Sequence, residues 1–354
     1  AFFIGMNMNK TLIFSFLLCL FLASCSKQPQ QYTSFDEAQH ALKSLNLALY
    51  QPKNSKHTGL RSEQLPFTDA YLKKRHAIYQ SLMQMQLTKQ QTEQVNYLVI
   101  AERFPERYFA WPAHTNVLVN LLNLASSESD YQNISNWLEF VQRQLESAQL
   151  SNLKLNKIEH NLIKNYVLSA LNDKNIPNSL LAQLNILKDY LVQYSPRGSV
   201  GLYGLANGSE WYQSKLNYFS GTVHSPLEWL TIINEQLKEE STQPANQEVS
   251  QIYPQSFLVQ FTNGDKEVPG LDWLSGFRNL PAIAENKSLL AQQKTLMLAM
   301  METDVGLHIH AWTLPQAKVN LIKRLNISEI DATRLVKNIV LYPGQAFSFA
   351  QQLL

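Results

Sequence analysis

The chain has 354 residues, with 30 Lys and Arg against 28 Asp and Glu, for a formal charge of +2. Nucleic-acid binders neutralise many phosphates along a basic stripe, whereas these cations are scattered among Gln and Glu, which argues against a nucleic-acid partner. With 45% apolar residues the chain can fill a large core, and its 12 glycines are about half the usual share. That balance predicts an all-α, mainly helical fold with at most one short strand or small sheet.

Ala1 to Gly5 precede a candidate start at Met6 or Met8 and contribute nothing that a signal peptide needs. Met6 to Cys25 comprises a short basic segment at Lys10, the apolar run Thr11 to Leu22, and small residues at a cleavage point, the pattern of a secretory signal peptide. The apolar run is too short to span a bilayer comfortably. Leu22-Ala23-Ser24-Cys25 resembles the lipobox of bacterial lipoproteins, which implies acylation of Cys25 as the first mature residue and a partner in membrane lipid. Two or more acyl chains give stable attachment, each buried methylene adding about 0.8 kcal/mol. Ser26 after the lipidated Cys resembles the outer-membrane sorting pattern, so the expected address is the periplasmic face of the outer membrane. Cys19 leaves with the signal, so the mature chain has no free thiol for a nucleophile, a disulfide or a Cys-ligated zinc.

The expected organisation is a signal over 1–25, a polar Pro-bearing tether over 26–34, a helical region over 35–240, and a C-terminal helical region of the same domain over 249–354. Helix starts are marked by capping pairs at Thr88/Gln91, Ser225/Glu228 with Pro226, and Thr313/Gln316. From Asp69, the positions Leu72, His76, Tyr79, Leu82, Met83 and Leu87 predict one inward face. So do Ile134, Trp137, Leu138, Val141 and Leu145, and again Leu227, Leu230, Ile233 and Leu237. The last helix follows Ser328, turns Ala332, Leu335, Val336 and Ile339 inward, and stops before Pro343-Gly344. Lys238 to Glu248 has no apolar period and reads as a loop, and Ile252 to Phe261 is the strand candidate.

Catalytic motifs are mostly missing. None of the eight His is followed by Glu, so no His-Glu-x-x-His exists, and the glycine spacings exclude dinucleotide fingerprints, phosphate loops and nucleophile elbows. One constellation remains, Glu302 to Trp312, in which Asp304 and His308 stand four apart. On a helix they share a face, where a carboxylate orients a histidine and raises its pKa while burial opposes that rise. The plain alternative is a buried His satisfied by a local Asp near a helix end. His308 and His310 cannot share a helical face, and no second ligand cluster accompanies them, so no metal ligands are assigned.

Two segments together carry a family resemblance. Gly201-Leu202-Tyr203-Gly204-Leu205-Ala206-Asn207-Gly208-Ser209-Glu210-Trp211-Tyr212 is similar to the Gly-x-x-x-Leu-Pro-Asn-Gly-x-x-Tyr-Tyr segment of the domain-of-unknown-function 885 family, bacterial helical proteins that look like zinc peptidases. Asp304-Val305-Gly306-Leu307-His308, Trp312-Thr313, Gln316-Ala317 and Tyr342-Pro343-Gly344-Gln345-Ala346 resemble that family's closing block in order and spacing. The resemblance implies a gluzincin-like helical fold, with Asp304, His308 and Gln345 as remnants of a catalytic site and Tyr203, Tyr212, His310 and Trp312 as ligand-binding positions. The family's His-Glu-x-x-Pro-Gly-His and Glu-Gly-Trp-Ala helices, however, have no counterpart in the interval Leu237 to Met300. Zinc activates water only when held by three protein ligands with one position open, so their loss removes the reaction. The favoured expectation is therefore a noncatalytic, cofactor-free lipoprotein that binds peptide or envelope material. The alternatives are an active zinc hydrolase with other ligands and a structural or assembly lipoprotein packed solid around Trp312 and His308.

Overall fold

The computed structural model describes residues 32–49, 59–242 and 287–354, so Cys25, the signal segment and the strand candidate at 252–261 lie outside the described residues. Within them the chain forms twelve α-helices and a final four-residue turn, with no sheet and one isolated parallel bridge between Asn156 and Arg197. The all-α expectation holds.

The end of the expected tether belongs to the fold. Tyr32 is buried and its N–H donates to Ser81 Oγ, while Ser34 caps the first helix, α1 (Phe35–Leu45), and Thr33 donates to Glu37. Next come α2 (Asp69–Met83), α3 (Lys89–Ala101), α4 (Val117–Leu124) and the long α5 (Glu128–Leu150). α6 (Lys157–Leu171) and α7 (Asn178–Gln193) form an antiparallel pair whose second member packs on α5. α8 (Gly208–Ser220) and α9 (Pro226–Thr242) lead to α10 (Lys287–His308), α11 (Leu314–Leu325) and α12 (Glu329–Leu341).

The predicted caps form at Thr88, Ser225, Thr313 and Ser328. The face of α5 is buried as expected, with Trp137 donating its indole N–H to the Pro66 carbonyl. Two faces are corrected. On α2 the buried stripe is Tyr71, Arg75, Ile78, Tyr79 and Leu82, turned one position from the expected one, so His76 and Met83 face water and Leu87 falls beyond the helix end. The cause is Arg75, whose guanidinium lies 5.4–5.9 Å from the Phe67, Tyr71 and Tyr79 ring centres and pairs with Glu102 and Glu106. On α9, Trp229 replaces Leu227 at the interface, leaving Leu227 68% exposed.

Buried apolar side chains fall into two clusters. The first, around Trp111 and Trp137, draws on residues 32–194. The second surrounds α10 and draws on 148–353. α10 packs against α9, α11 and α12 and is buried along most of its C-terminal half, from Leu296 to His308. Its Glu302 is fixed from α11 by a two-pronged pair with Arg324, 2.7 and 3.0 Å, and by Asn320 at 2.9 Å. Among the described residues no helix is long and apolar enough to cross a membrane.

Candidate functional site

The two resembling segments meet at the C-terminal end of α10. Gly201 approaches the Leu307 carbonyl so closely that a β-carbon would overlap it, and Gly208 approaches the Leu202 carbonyl in the same way. The chain reaches Gly208 through Asn207 in the left-handed region (φ 55°), which Asn tolerates better than most residues. This brings the Leu202 N–H to 3.1 Å from His308 Nδ1. On the other side of the ring Nε2 lies 3.2 Å from the Ile339 carbonyl of α12. One nitrogen accepts and the other donates, so the ring is a neutral imidazole carrying its proton on Nε2.

Asp304 and His308 do share a face of α10, but the carboxylate does not hold the ring. The Asp304 Oδ1 to His308 Nε2 distance is 3.9 Å, and Nε2 already donates to Ile339. Asp304 instead accepts from the Tyr212 hydroxyl at 2.8 Å and from the Gly344 N–H at 2.9 and 3.1 Å. Gly344 sits at φ 78°, so the turn after α12 that aims this N–H needs a glycine. Burial pushes the Asp304 carboxyl up to about 7, against the Tyr212 and Gly344 hydrogen bonds. Burial also takes His308 down to about 3, against its bond to Ile339. Of the two opposed effects on the His308 pKa, desolvation wins, since the ring is fully buried and the Asp304 carboxylate is given to Tyr212 and Gly344.

Of the other expected site residues, Tyr212 joins the pair and the rest stand apart from it. Tyr212 stacks on His308 with ring centres 5.2 Å apart and is fully buried. Trp312 folds back onto α10, its indole occupying the space a β-carbon of Gly306 would need. His310 is exposed past the helix end, Tyr203 is half-buried in the turn before α8, and Gln345 is half-buried just after Gly344. Zinc does not fit this arrangement. Both nitrogens of His308 are engaged by backbone, and among the described residues no three His, Cys, Asp or Glu side chains gather to hold a metal ion.

A cavity of about 120 Å³ lies on the far side of Leu202, between the two clusters. Leu202, Trp211 and Pro343 of its wall come from the two resembling segments, whereas Trp111, His114, Glu159, Arg197 and Lys215 lie in no quoted motif, and none of the expected site residues lines it. They come from separate stretches of chain. Arg197 fixes its wall: its guanidinium donates to the carbonyls of Lys154, Ser199 and Gly201 at 2.7–2.9 Å.

No family model matches the chain, and the search of curated proteins finds no match. Among solved structures it is similar to a candidate lipoprotein from Colwellia psychrerythraea, with a TM-score of 0.52 and 12% identity over 89% of each chain. At that identity the likeness shows a shared helical fold.

Proposed function

We propose that this chain is a lipid-anchored envelope protein that retains the frame of a metallopeptidase-like family without its reaction, and binds peptide or envelope material. One observation carries the noncatalytic reading. The candidate catalytic histidine has no exposed surface and both its nitrogens are committed to backbone partners, so it cannot reach a substrate or a metal-bound water. The anchor reading rests on the lipobox at Cys25, with the description of the Colwellia neighbour as support. Binding is assigned to the cavity beyond Leu202, because the His308 ring is fully buried and covered by Tyr212, with Trp312 packed on Gly306 of the same helix.

That same burial favours a second reading, a structural or assembly lipoprotein in which the Asp304 and His308 network is purely a packing device. Zinc content and hydrolysis of a peptide library by the purified protein test the first reading. Substoichiometric zinc and no turnover are expected. Chelator-sensitive hydrolysis abolished by His308→Ala would overturn it in favour of an active zinc hydrolase. For the anchor, Cys25→Ala should release the protein from membranes or stop its processing, and unchanged fractionation with unchanged mass would refute acylation.

A further inference from the structure

We propose that the cavity between the two clusters binds a small carboxylate carried on an apolar body, the chemistry shared by an apolar free amino acid and the C-terminal residue of a peptide. This deepens the binding reading above and rests on it. Two polar groups lining the cavity have spare capacity. Nε2 of His114 is buried with no hydrogen-bond partner among the described residues. Lys215 Nζ makes a long 3.4 Å contact to the Tyr97 hydroxyl and packs 5.3 Å from the Trp211 ring centre. A weakly held ammonium and an unused imidazole nitrogen on one cavity are costly unless an acceptor joins them.

The protonation states suit that role. Burial opposes a charge on Lys215, but Tyr97, Glu106 and Asp304 together raise its pKa above the ordinary value, so it is an ammonium at neutral pH. Burial, aided by the Lys215 charge, lowers His114 to about 4, so its ring is neutral and has one N–H to give. A carboxylate can thus accept from both. Trp111 and Trp211 supply the apolar walls. The volume is near that of a cavity of about 150 Å³ known to admit a benzene ring, which fits a single side chain and excludes a folded peptide. Glu106 and Glu159 on the same lining keep 21% and 27% of their side chains exposed, so the wall is not sealed throughout.

Binding of L-leucine, N-acetyl-L-leucine and L-leucinamide, followed by titration calorimetry and by proton NMR of the same samples, tests this. Leucine or the acetylated form should bind and the amide, which lacks the carboxylate, should bind at least tenfold more weakly. Binding of leucine alone would identify a free amino acid as the source, and binding of the acetylated form alone a chain end. Lys215→Met and His114→Gln should each weaken binding about tenfold or more, with Lys215→Arg retaining most of it. If Lys215→Met does not fold, His114→Gln and the indole shifts of Trp111 and Trp211 decide the matter. Equal binding of the amide, or no binding of either carboxylate, overturns the proposal and leaves the noncatalytic reading standing. Release of acetate from the acetylated ligand in the NMR sample would instead overturn the noncatalytic reading.

Discussion

Gly201 and Leu307 touch backbone to backbone: the α-carbon of one lies where any β-carbon would overlap the carbonyl oxygen of the other. The contact sets the height of the Leu202 N–H above the His308 ring, so one missing side chain joins the turn before α8 to the end of α10. Gly201→Ala must push these stretches of chain apart. It should cost about 1 to 3 kcal/mol as an overpacking change, and more where the His308 bond is lost. Gly198→Ala, with nothing within 4 Å of the new carbon, is the control and should be near neutral. Urea denaturation of the three proteins checks both.

The pH dependence of stability should expose the Asp304 and His308 pair. Asp304 is raised to about 7 in the folded state, so its stabilising proton is fully bound below its unfolded value of 3.8 and is lost as pH rises through about 7. His308 has the opposite sign: lowered to about 3, its contribution is present above its unfolded value of 6.5 and is lost as pH falls through about 3. Across the overlap the two slopes offset each other in the native protein. Asp304→Asn removes one of them, so between pH 7 and pH 4 the variant should lose about 3 kcal/mol more than the native protein does, given about 1.4 kcal/mol per proton per pH unit. Parallel slopes in denaturant titrations at those pH values would show that the carboxyl is not raised.

Arg75 is the clearest charged element of the first cluster. Its side chain is 10% exposed, among three aromatic rings and two carboxylates. Arg75→Ala should destabilise by about 3 kcal/mol, since it strands Glu102 and Glu106 and removes packing. Arg75→Met, which keeps the stem, should lose less. Thermal unfolding ranks the pair.

Leu335 and Leu230 test the two faces that the apolar period indicated. Leu335 is fully buried on α12, and its truncation to Ala should cost about 2 to 5 kcal/mol. Leu230 is only half-buried because Trp229 takes the interface, so Leu230→Ala should cost clearly less than Ile233→Ala beside it. Chemical denaturation midpoints separate these cases.

The helices were largely legible because capping is local. Thr88, Ser225, Thr313 and Ser328 each meet their partner three residues on. Ser127 with Asp130 and Asn156 with Glu159 form the same box, but neither pair has the Ser or Thr followed by Glu or Gln that marks it most plainly. Faces were legible where the apolar period was regular, as on α5, and were misread on α2, because no sequence rule places an arginine in a nest of rings. The Asp304 and His308 spacing was visible, but its meaning was not. The partners that decide it, Tyr212, Leu202, Ile339 and Gly344, stand 31 to 106 positions away. The cavity is harder still, since most of its wall, Trp111, His114, Glu159, Arg197 and Lys215 among them, lies outside the two resembling segments and meets only when both clusters are in place.

The distances along the chain between the partners of Asp304 and His308 also set an order of events. The buried members of the first cluster all lie within residues 32–194, whereas the second needs α8 to meet α10 across 92 and 106 positions and α10 to meet the Gly344 turn across 40. Non-local closures of this kind slow folding more than they weaken the final state. The half built around Asp304 is therefore expected to form later than the half built around Trp111 and Trp137. Until it forms, the apolar surface of α10 is left for other chains to find.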